Sequence, residues 1–404
     1  MSEKFVGPHR DDGSQDGART AASRLLSMTS IWSDAPPSPP PAAEPVPVLT
    51  PAPPPPARAA QAPAPVAVVA RPAPVETPAR PWPPRKLSLA LQGGGTFAAF
   101  SWGVLERLLE EPAIAFDTIS GASAGAINAL LLASGLAEGG REGARSRLNR
   151  FWVRLMHEAS FRSLMLVGGF SPAGSSVAFG PTLRSGQFDP FDLDPLRLAL
   201  ARDIDFAVLR DPACPKLLIA ATRIRDGQQQ IFRNDAVTPD VALASTCPPL
   251  VHCAVEVDGE AYWDGGFGGN PPLVRLVQES TTSDILLVQV TPARDSYVPI
   301  TLAAIDRRLD QIAANAALNA EIAAIEWAAQ SSAAEPVRLF RIAAEDSVDS
   351  LAQRSSADLG RGFIRLLHRS GRAAAERWLR QDENADFLPR GIEQPDVATE
   401  PALA

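Results

Sequence analysis

The chain has 404 residues, a net charge of −8, and 35 arginines against 3 lysines. That length holds one large α/β domain with appendages, and the acidic balance argues against nucleic acid as a partner and against capture by anionic membranes through bulk charge. Its cysteines (Cys214, Cys247 and Cys253) lack a C-x-x-C spacing. No disulfide framework or zinc site is therefore expected, and a reducing cytoplasm fits.

Residues 1–85 are expected to form a disordered arm. Between Pro36 and Pro84 there are 20 prolines, interleaved with Ala and Val. Such a tract favours extended polyproline II and lacks the bulky side chains of a core. It reads as a semi-rigid tether, with a protein partner for the proline-rich arm as the second reading. Upstream, residues 20–32 (TAASRLLSMTSIW) make a small apolar island in a polar tail. It suits a docking helix or a weakly structured patch of the arm. No apolar run precedes Leu25, so no signal peptide is expected. No stretch reaches the roughly 20 apolar residues of a spanning helix.

The folded part opens with a short apolar strand over 87–91, followed at once by Gln92 and then Gly93, Gly94 and Gly95. A helical pattern over 97–111 runs into Pro112, which cannot continue it. Consecutive glycines let the backbone turn sharply and leave N–H groups to converge on an anion. A flexible turn and a dinucleotide loop are the competing readings. The full G-x-G-x-x-G fails because Ala98 takes its last position, and Asp117 opens the next strand instead of ending it.

That strand, over 116–119, leads into a G-x-S-x-G at Gly121, Ser123 and Gly125, with a helical run over 126–134 behind it. The strand–turn–helix context is what a nucleophile elbow needs: small neighbours permit the tight turn, which pushes the serine Oγ out above the sheet. The N-terminal amides of the helix then point at any oxyanion formed nearby. Gly135 reads as a helix cap, and Gly139 and Gly140 as the opening of a helix over 141–156 with Leu148, Phe151, Trp152 and Leu155 on one face. Residues 157–194 are irregular and long for a connection, which suits a lid or entrance as well as a packed loop.

Residues 216–222 and 229–232 read as a hairpin around Asp226 and Gly227. Asp258 and Gly259 form a second turn, and the strand after it ends in Asp264, Gly265 and Gly266. A β-turn is the competing reading of that triplet. The run 284–291 has the pattern of a strand buried on both faces. An alanine-rich helix over 302–327, a strand over 337–342 and two helices within 351–380 follow. Strands alternating with helices predict a three-layer α/β/α sandwich with a mostly parallel central sheet.

Gly93 to Gly95, then Gly121 to Gly125, then Asp264 to Gly266, taken in this order, resemble the patatin-like phospholipase family. The resemblance runs from about residue 86 to 290 and more weakly to about 380. Trp102, Gly103 and Leu105 stand where that family has a G-V-L. Ala244 and Ser245 precede Pro248 and Pro249 as in its A-S-x-x-x-P, and Asn270 and Pro271 follow the aspartate. Gly95 and Ser123 are a single helix apart, unlike the usual spacing of α/β-hydrolases. Phe97 and Ala98 depart from the pattern, standing where the family has a basic residue and a glycine.

The resemblance implies a Ser–Asp dyad. Ser123 would be the nucleophile and Asp264 the general base, with the amides of Gly93, Gly94, Gly95 and Ala124 as the oxyanion hole and no cofactor or metal. A triad would need one of four histidines (His9, His157, His252, His368), and the α/β-hydrolase order would force His368 into service. The domains implied are a catalytic core over 86–300, completing helices and a strand over 301–385, and a disordered tail over 386–404. The expected substrate is a lipid acyl ester of the phospholipase A or lysophospholipase type, met by a cytoplasmic, peripheral protein at a membrane or droplet surface. Two alternatives stand beside it. One is an interaction protein with a catalytically weak domain, and the other a polyester hydrolase or acyltransferase using the same dyad.

Overall fold

The computed structural model describes residues 81–158, 161–162, 194–247, 254–331 and 337–381. An eight-stranded sheet lies between two layers of helices. Its strands are β1 (Lys86–Leu91), β2 (Ala115–Gly121), β3 (Lys216–Arg223), β4 (Gln229–Phe232), β5 (Val255–Val257), β6 (Glu260–Asp264), β7 (Asp284–Gln289) and β8 (Arg338–Ala343). Along the sheet they run β5-β6-β3-β2-β1-β7-β8, with β4 paired to β3 off this path. The pairs among β1, β2, β3, β7 and β8 are parallel, and those of β3 with β4 and β6, and of β5 with β6, are antiparallel.

Period-two alternation divides the core. Leu87, Leu89 and Leu91 of β1, with Leu286 and Val288 of β7, face one hydrophobic layer. Ala90 of β1, with Ile285 and Leu287 of β7, faces the other. A parallel strand covered on both sides must be apolar at consecutive positions, which is why 284–289 carries no solvent-facing residue.

Helix α1 (Ala98–Leu109) and the long α2 (Ala124–His157) follow β1 and β2. Next come α3 (Asp194–Asp203), α4 (Pro239–Ser245), α5 (Leu273–Glu279), α6 (Leu302–Ser331) and α7 (Arg361–Leu379). The apolar sides of α1, α2 and α7 fill the first layer. Leu273 and Leu276 of α5, with Leu318 of α6, fill the second.

Three expectations are corrected here. Gly135 does not cap a helix: α2 continues past it and bends at Gly139 and Gly140, whose φ/ψ are non-helical. A Cβ on Gly135 would stand 2.4 Å from Ala144 Cα, so glycine there lets the two arms of the bend touch. Within 351–380 there is one α-helix, α7, preceded only by a short 3-10 turn over Leu351–Gln353. Ser350 enters that turn with φ 55°, and the chain leaves it extended at Arg354. Finally, the folded part starts ahead of residue 86. The Trp82 indole N–H donates to the Leu379 carbonyl (3.1 Å), and its ring meets Phe340 and Trp378 edge-on. Residues 1–80 of the expected arm, residues 159–160 and 163–193 of the expected lid, Pro248, Pro249, His252 and Cys253 lie outside the described residues, as does His9 in the arm.

Candidate active site

The carboxyl ends of β1, β2 and β7 converge at one edge of the sandwich, where open α/β sheets place their ligands. Ser123 follows β2 and has φ 54° and ψ −133°. This is a strained backbone for a residue with a Cβ, costing on the order of 1–3 kcal/mol and held only when neighbours enforce it. They do: its N–H donates to the Ser245 carbonyl (3.1 Å) and to Ser245 Oγ (3.2 Å). The flanking glycines are steric necessities. A Cβ on Gly121 would lie 2.7 Å from the Gly125 backbone, and one on Gly125 would lie 2.2 Å from the Leu91 carbonyl oxygen.

Asp264 reaches the serine through strand pairing. Ile219 of β3 pairs with both Gly121 of β2 and Phe232 of β4, and Ala221 pairs with both Asp264 of β6 and Gln230 of β4. With β4 occupying one edge, β2 and β6 share the other. They run toward each other along β3 and end facing one another. The Ser123 hydroxyl donates to Asp264 Oδ2 at 2.8 Å, and the Gly266 N–H donates to Oδ1 at 2.7 Å. Main-chain bonds fix the strand end, from Asp264 N–H to the Cys247 carbonyl and from Thr222 Oγ1 to the Asp264 carbonyl, each 2.8 Å. Gly265 lies so close to β3 that a Cβ would stand 2.2 Å from the Ala220 oxygen.

Asp264 is 6% exposed. Burial penalises its charged form and pushes the carboxyl up to about 6, against the opposing pull of the Gly266 and Ser123 hydrogen bonds.

The glycine loop lies against the elbow. A Cβ on Gly93 would sit 2.5 Å from the Ala122 oxygen and 2.7 Å from Ser123 Cβ, while Gly95 has φ 55°. One expected role changes. The Gly93 N–H donates to Asn270 Oδ1 (2.6 Å), and Asn270 Nδ2 donates back to the Gly93 carbonyl (3.1 Å). Gly93 is thus a tethered position, not a free oxyanion donor. Among the described residues, the N–H groups of Gly94, Gly95 and Ala124 have no acceptor in the chain.

Beneath the loop, buried amides tie three elements together. Gln92 Oε1 accepts from Val290 and Thr291 N–H (2.9 and 2.8 Å), and Gln289 Nε2 donates to Asn315 Oδ1 (2.7 Å). Asn315 Nδ2 donates to the Pro292 carbonyl at 2.9 Å, and Thr291 Oγ1 donates to the Gly93 carbonyl at 3.1 Å. These supporting residues escaped the sequence reading. A glutamine closing an apolar strand and an asparagine in an alanine-rich helix were the available signals.

The loop, Ser123 and Asp264 open into one cavity of about 650 Å³, whose other walls come from α6 and residues near Arg354. Phe97 lines it too, 3% exposed and edge-on to Phe363. Neither described histidine lines the cavity. His157 ends α2, and His368 stacks on Trp102 (3.7 Å) with its Nε2 hydrogen-bonded to Glu106. His368 is thus wedged between α1 and α7. Asp117, set against the dinucleotide-loop reading, pairs with Lys86 (2.7 Å) at the amino end of β2, away from the glycine loop. Among the described residues no cluster has the makings of a metal site, and no helix is long and apolar enough to cross a membrane.

The profile of the patatin-like phospholipase family matches residues 89–277, from β1 into α5. That segment, 189 of the chain's 404 residues, is a patatin-like domain. The patatin domain's solved likenesses are distant. VipD from Legionella pneumophila is 14% identical with a TM-score of 0.37, over 73% of this chain and 66% of VipD. The type III effector protein ExoU is 18% identical with a TM-score of 0.32, over 74% of this chain and 55% of ExoU. A chain of the heterodimeric ExoU–SpcU complex from the type III secretion system of Pseudomonas aeruginosa is 21% identical with a TM-score of 0.27, over 60% and 52%. This chain therefore covers between about half and two thirds of the length of those proteins. No curated protein matches it.

Proposed function

We propose that the patatin domain is a serine lipid acyl hydrolase of the phospholipase A or lysophospholipase type, working through a Ser123–Asp264 dyad. The carrying observation is the 2.8 Å hydrogen bond from Ser123 Oγ to a buried carboxylate whose pKa is lifted to about 6. A carboxylate tuned upward by burial is a stronger base at neutral pH than one in water, and it is already within proton-transfer distance.

In this scheme Ser123 Oγ attacks the ester carbonyl carbon as its proton passes to Asp264 Oδ2. The free amides of Gly94, Gly95 and Ala124 are placed to hold the oxyanion of the tetrahedral intermediate. Collapse breaks the ester C–O bond, the departing alkoxide takes the proton from Asp264, and an acyl-Ser123 remains. Water then attacks that ester, gives its proton to Asp264, and the second collapse returns it to Ser123 with release of the fatty acid. We place the protein in the cytoplasm, meeting its lipid as a peripheral protein.

Ser123→Ala is expected to abolish hydrolysis of p-nitrophenyl butyrate with an unchanged circular dichroism spectrum, and a fluorophosphonate probe to label Ser123 in the unaltered chain. Equal turnover by the variant, or no adduct with an intact fold, refutes the reading.

A further inference from the structure

Large apolar side chains scattered singly over a surface are ordinary, whereas a contiguous group of them marks a contact. Among the described residues twelve such side chains are exposed, and seven of them fall between residues 297 and 312. Tyr297, Val298 and Ile300 lie in the segment that leads from β7 into α6, the last two 86% and 88% exposed. Leu302, Ile305, Leu309 and Ile312 continue the group on α6 itself. Their 3-4-3 spacing sets them on one face of the helix.

A second stripe runs along α6 one residue out of register. Ala303, Asp306, Asp310 and Ala313 keep the same 3-4-3 spacing and line the cavity that holds Ser123 and Asp264. One residue is about 100° of helix turn, so the exposed apolar stripe borders the cavity-lining stripe along its length. The remaining face packs inward through Asn315 and Leu318, both buried. Helix α6 thus carries one face in the core, one in the cavity wall and one apolar face in solvent at the rim of the cavity.

The chemistry of the exposed face selects its partner. Residues 296–305 (SYVPITLAAI) include no charged side chain. The valine, isoleucine and leucine side chains of the stripe offer no hydrogen bond, whereas a protein interface carries roughly one per 100–200 Å². A hydrocarbon layer asks for none. Tyr297 adds a ring with a polar tip, the form suited to the boundary between acyl chains and headgroups. Next to the stripe, Asp306 and Asp310 are balanced by Arg307 and Arg308. That balance suits a zwitterionic headgroup layer, and the net charge of −8 disfavours an anionic one.

We propose that the apolar face from Tyr297 to Ile312 docks the protein on a zwitterionic lipid bilayer, holding the cavity mouth against the surface that supplies its ester. This rests on the acyl hydrolase reading above and names the surface through which that site meets its lipid.

Cosedimentation of the full chain carrying Ser123→Ala with large unilamellar vesicles of dioleoyl phosphatidylcholine measures docking without turnover. The chain should partition onto these vesicles, and replacing part of the lipid by dioleoyl phosphatidylglycerol should not strengthen binding. Val298→Asp together with Ile300→Asp should weaken binding at least about tenfold, since two charges must then leave water for the interface. Made in the Ser123 chain, the same pair should leave turnover of soluble p-nitrophenyl butyrate within about twofold while hydrolysis of the vesicles falls. If the pair lowers the melting temperature, Leu309→Gln, at an exposed helical position, decides by the same binding measurement. No binding to phosphatidylcholine alone overturns the docking face. So does binding that the substitutions leave unchanged, as capture through residues 20–32 would give. A dimer in light scattering that the substitutions turn into monomer overturns it too, assigning the face to a second copy. Failure to turn over p-nitrophenyl butyrate refutes the hydrolase, while vesicle binding lost on substitution still establishes the docking face.

Discussion

Burial sets the chemistry of Asp264. Its carboxyl ionises at about 6 in the fold against an ordinary 3.8, because desolvation outweighs two hydrogen bonds. Only the ionised form accepts a proton, so kcat/KM should rise through about pH 6 and level above it. For stability the sign is opposite: the folded state holds the proton more tightly than the unfolded chain, so this residue's contribution declines as pH climbs from about 4 to 6. Asp264→Asn should therefore be more stable than the parent above pH 6, by on the order of 3 kcal/mol at most, with the gap closing below pH 4 in urea denaturation. A gap independent of pH would show that burial does not govern this carboxylate. Asn270 acts at one remove, holding Gly93 by two bonds. Asn270→Ala should lower kcat on the order of 100-fold with little change in KM, because misplacing the loop harms the transition state more than substrate binding. A fall in melting temperature with kcat intact would make its role structural only.

At the level of elements, α1 and α7 approach each other through glycine. A Cβ on Gly103 would stand 2.0 Å from the His368 carbonyl oxygen, and one on Gly371 would stand 2.1 Å from that of Phe100. Backbone cannot yield as a flexible side chain does, so the helices must part and the rings packed between them lose contact. Gly103→Ala and Gly371→Ala should each destabilise by about 1–3 kcal/mol in urea denaturation. Gly362, on the same α7, has open space where a methyl would stand, with nothing within 4 Å, and Gly362→Ala should be neutral or stabilising by about 0.5–1 kcal/mol. Similar losses at all three sites would mean that helix contact is not what the first two glycines serve.

The whole molecule extends the patatin domain past its matched segment. The profile ends at residue 277, yet β7 is an interior strand of the sheet, paired with β1, and β8 pairs with it over six positions. Helix α7 covers α1, and α6 supplies Asn315 and one wall of the cavity. A chain of residues 81–300, lacking β8 and α7, should fail to unfold cooperatively. A chain of 81–381 should melt close to the full-length protein, since the proline-rich composition of the arm has little to add to a core. Cooperative melting of the shorter chain, with Ser123 still labelled by a fluorophosphonate, would refute this dependence.

The local pieces of this molecule are legible in its residues. Short apolar runs marked β1, β3, β7 and β8, Asp-Gly pairs marked the hairpin turns, and the order of glycine loop, G-x-S-x-G and D-G-G marked the family. Those signals are local because strand, turn and helix are decided by neighbouring side chains and backbone freedom. The arrangement of the pieces is another matter. Nothing local states that β2 and β6 end face to face on one edge of β3, which is what sets Ser123 against Asp264 across 141 positions of chain. Nor does a turn signal distinguish Gly135, which admits a second helix arm, from a cap, or Gly93, claimed by Asn270, from the amides that stay open beside it. Nor does the alanine-rich run over 302–327 state which of its faces meets the core, which the cavity and which the solvent. Such contacts depend on sheet order and helix crossing, which arise from the packing of the whole chain and leave no periodic trace in it.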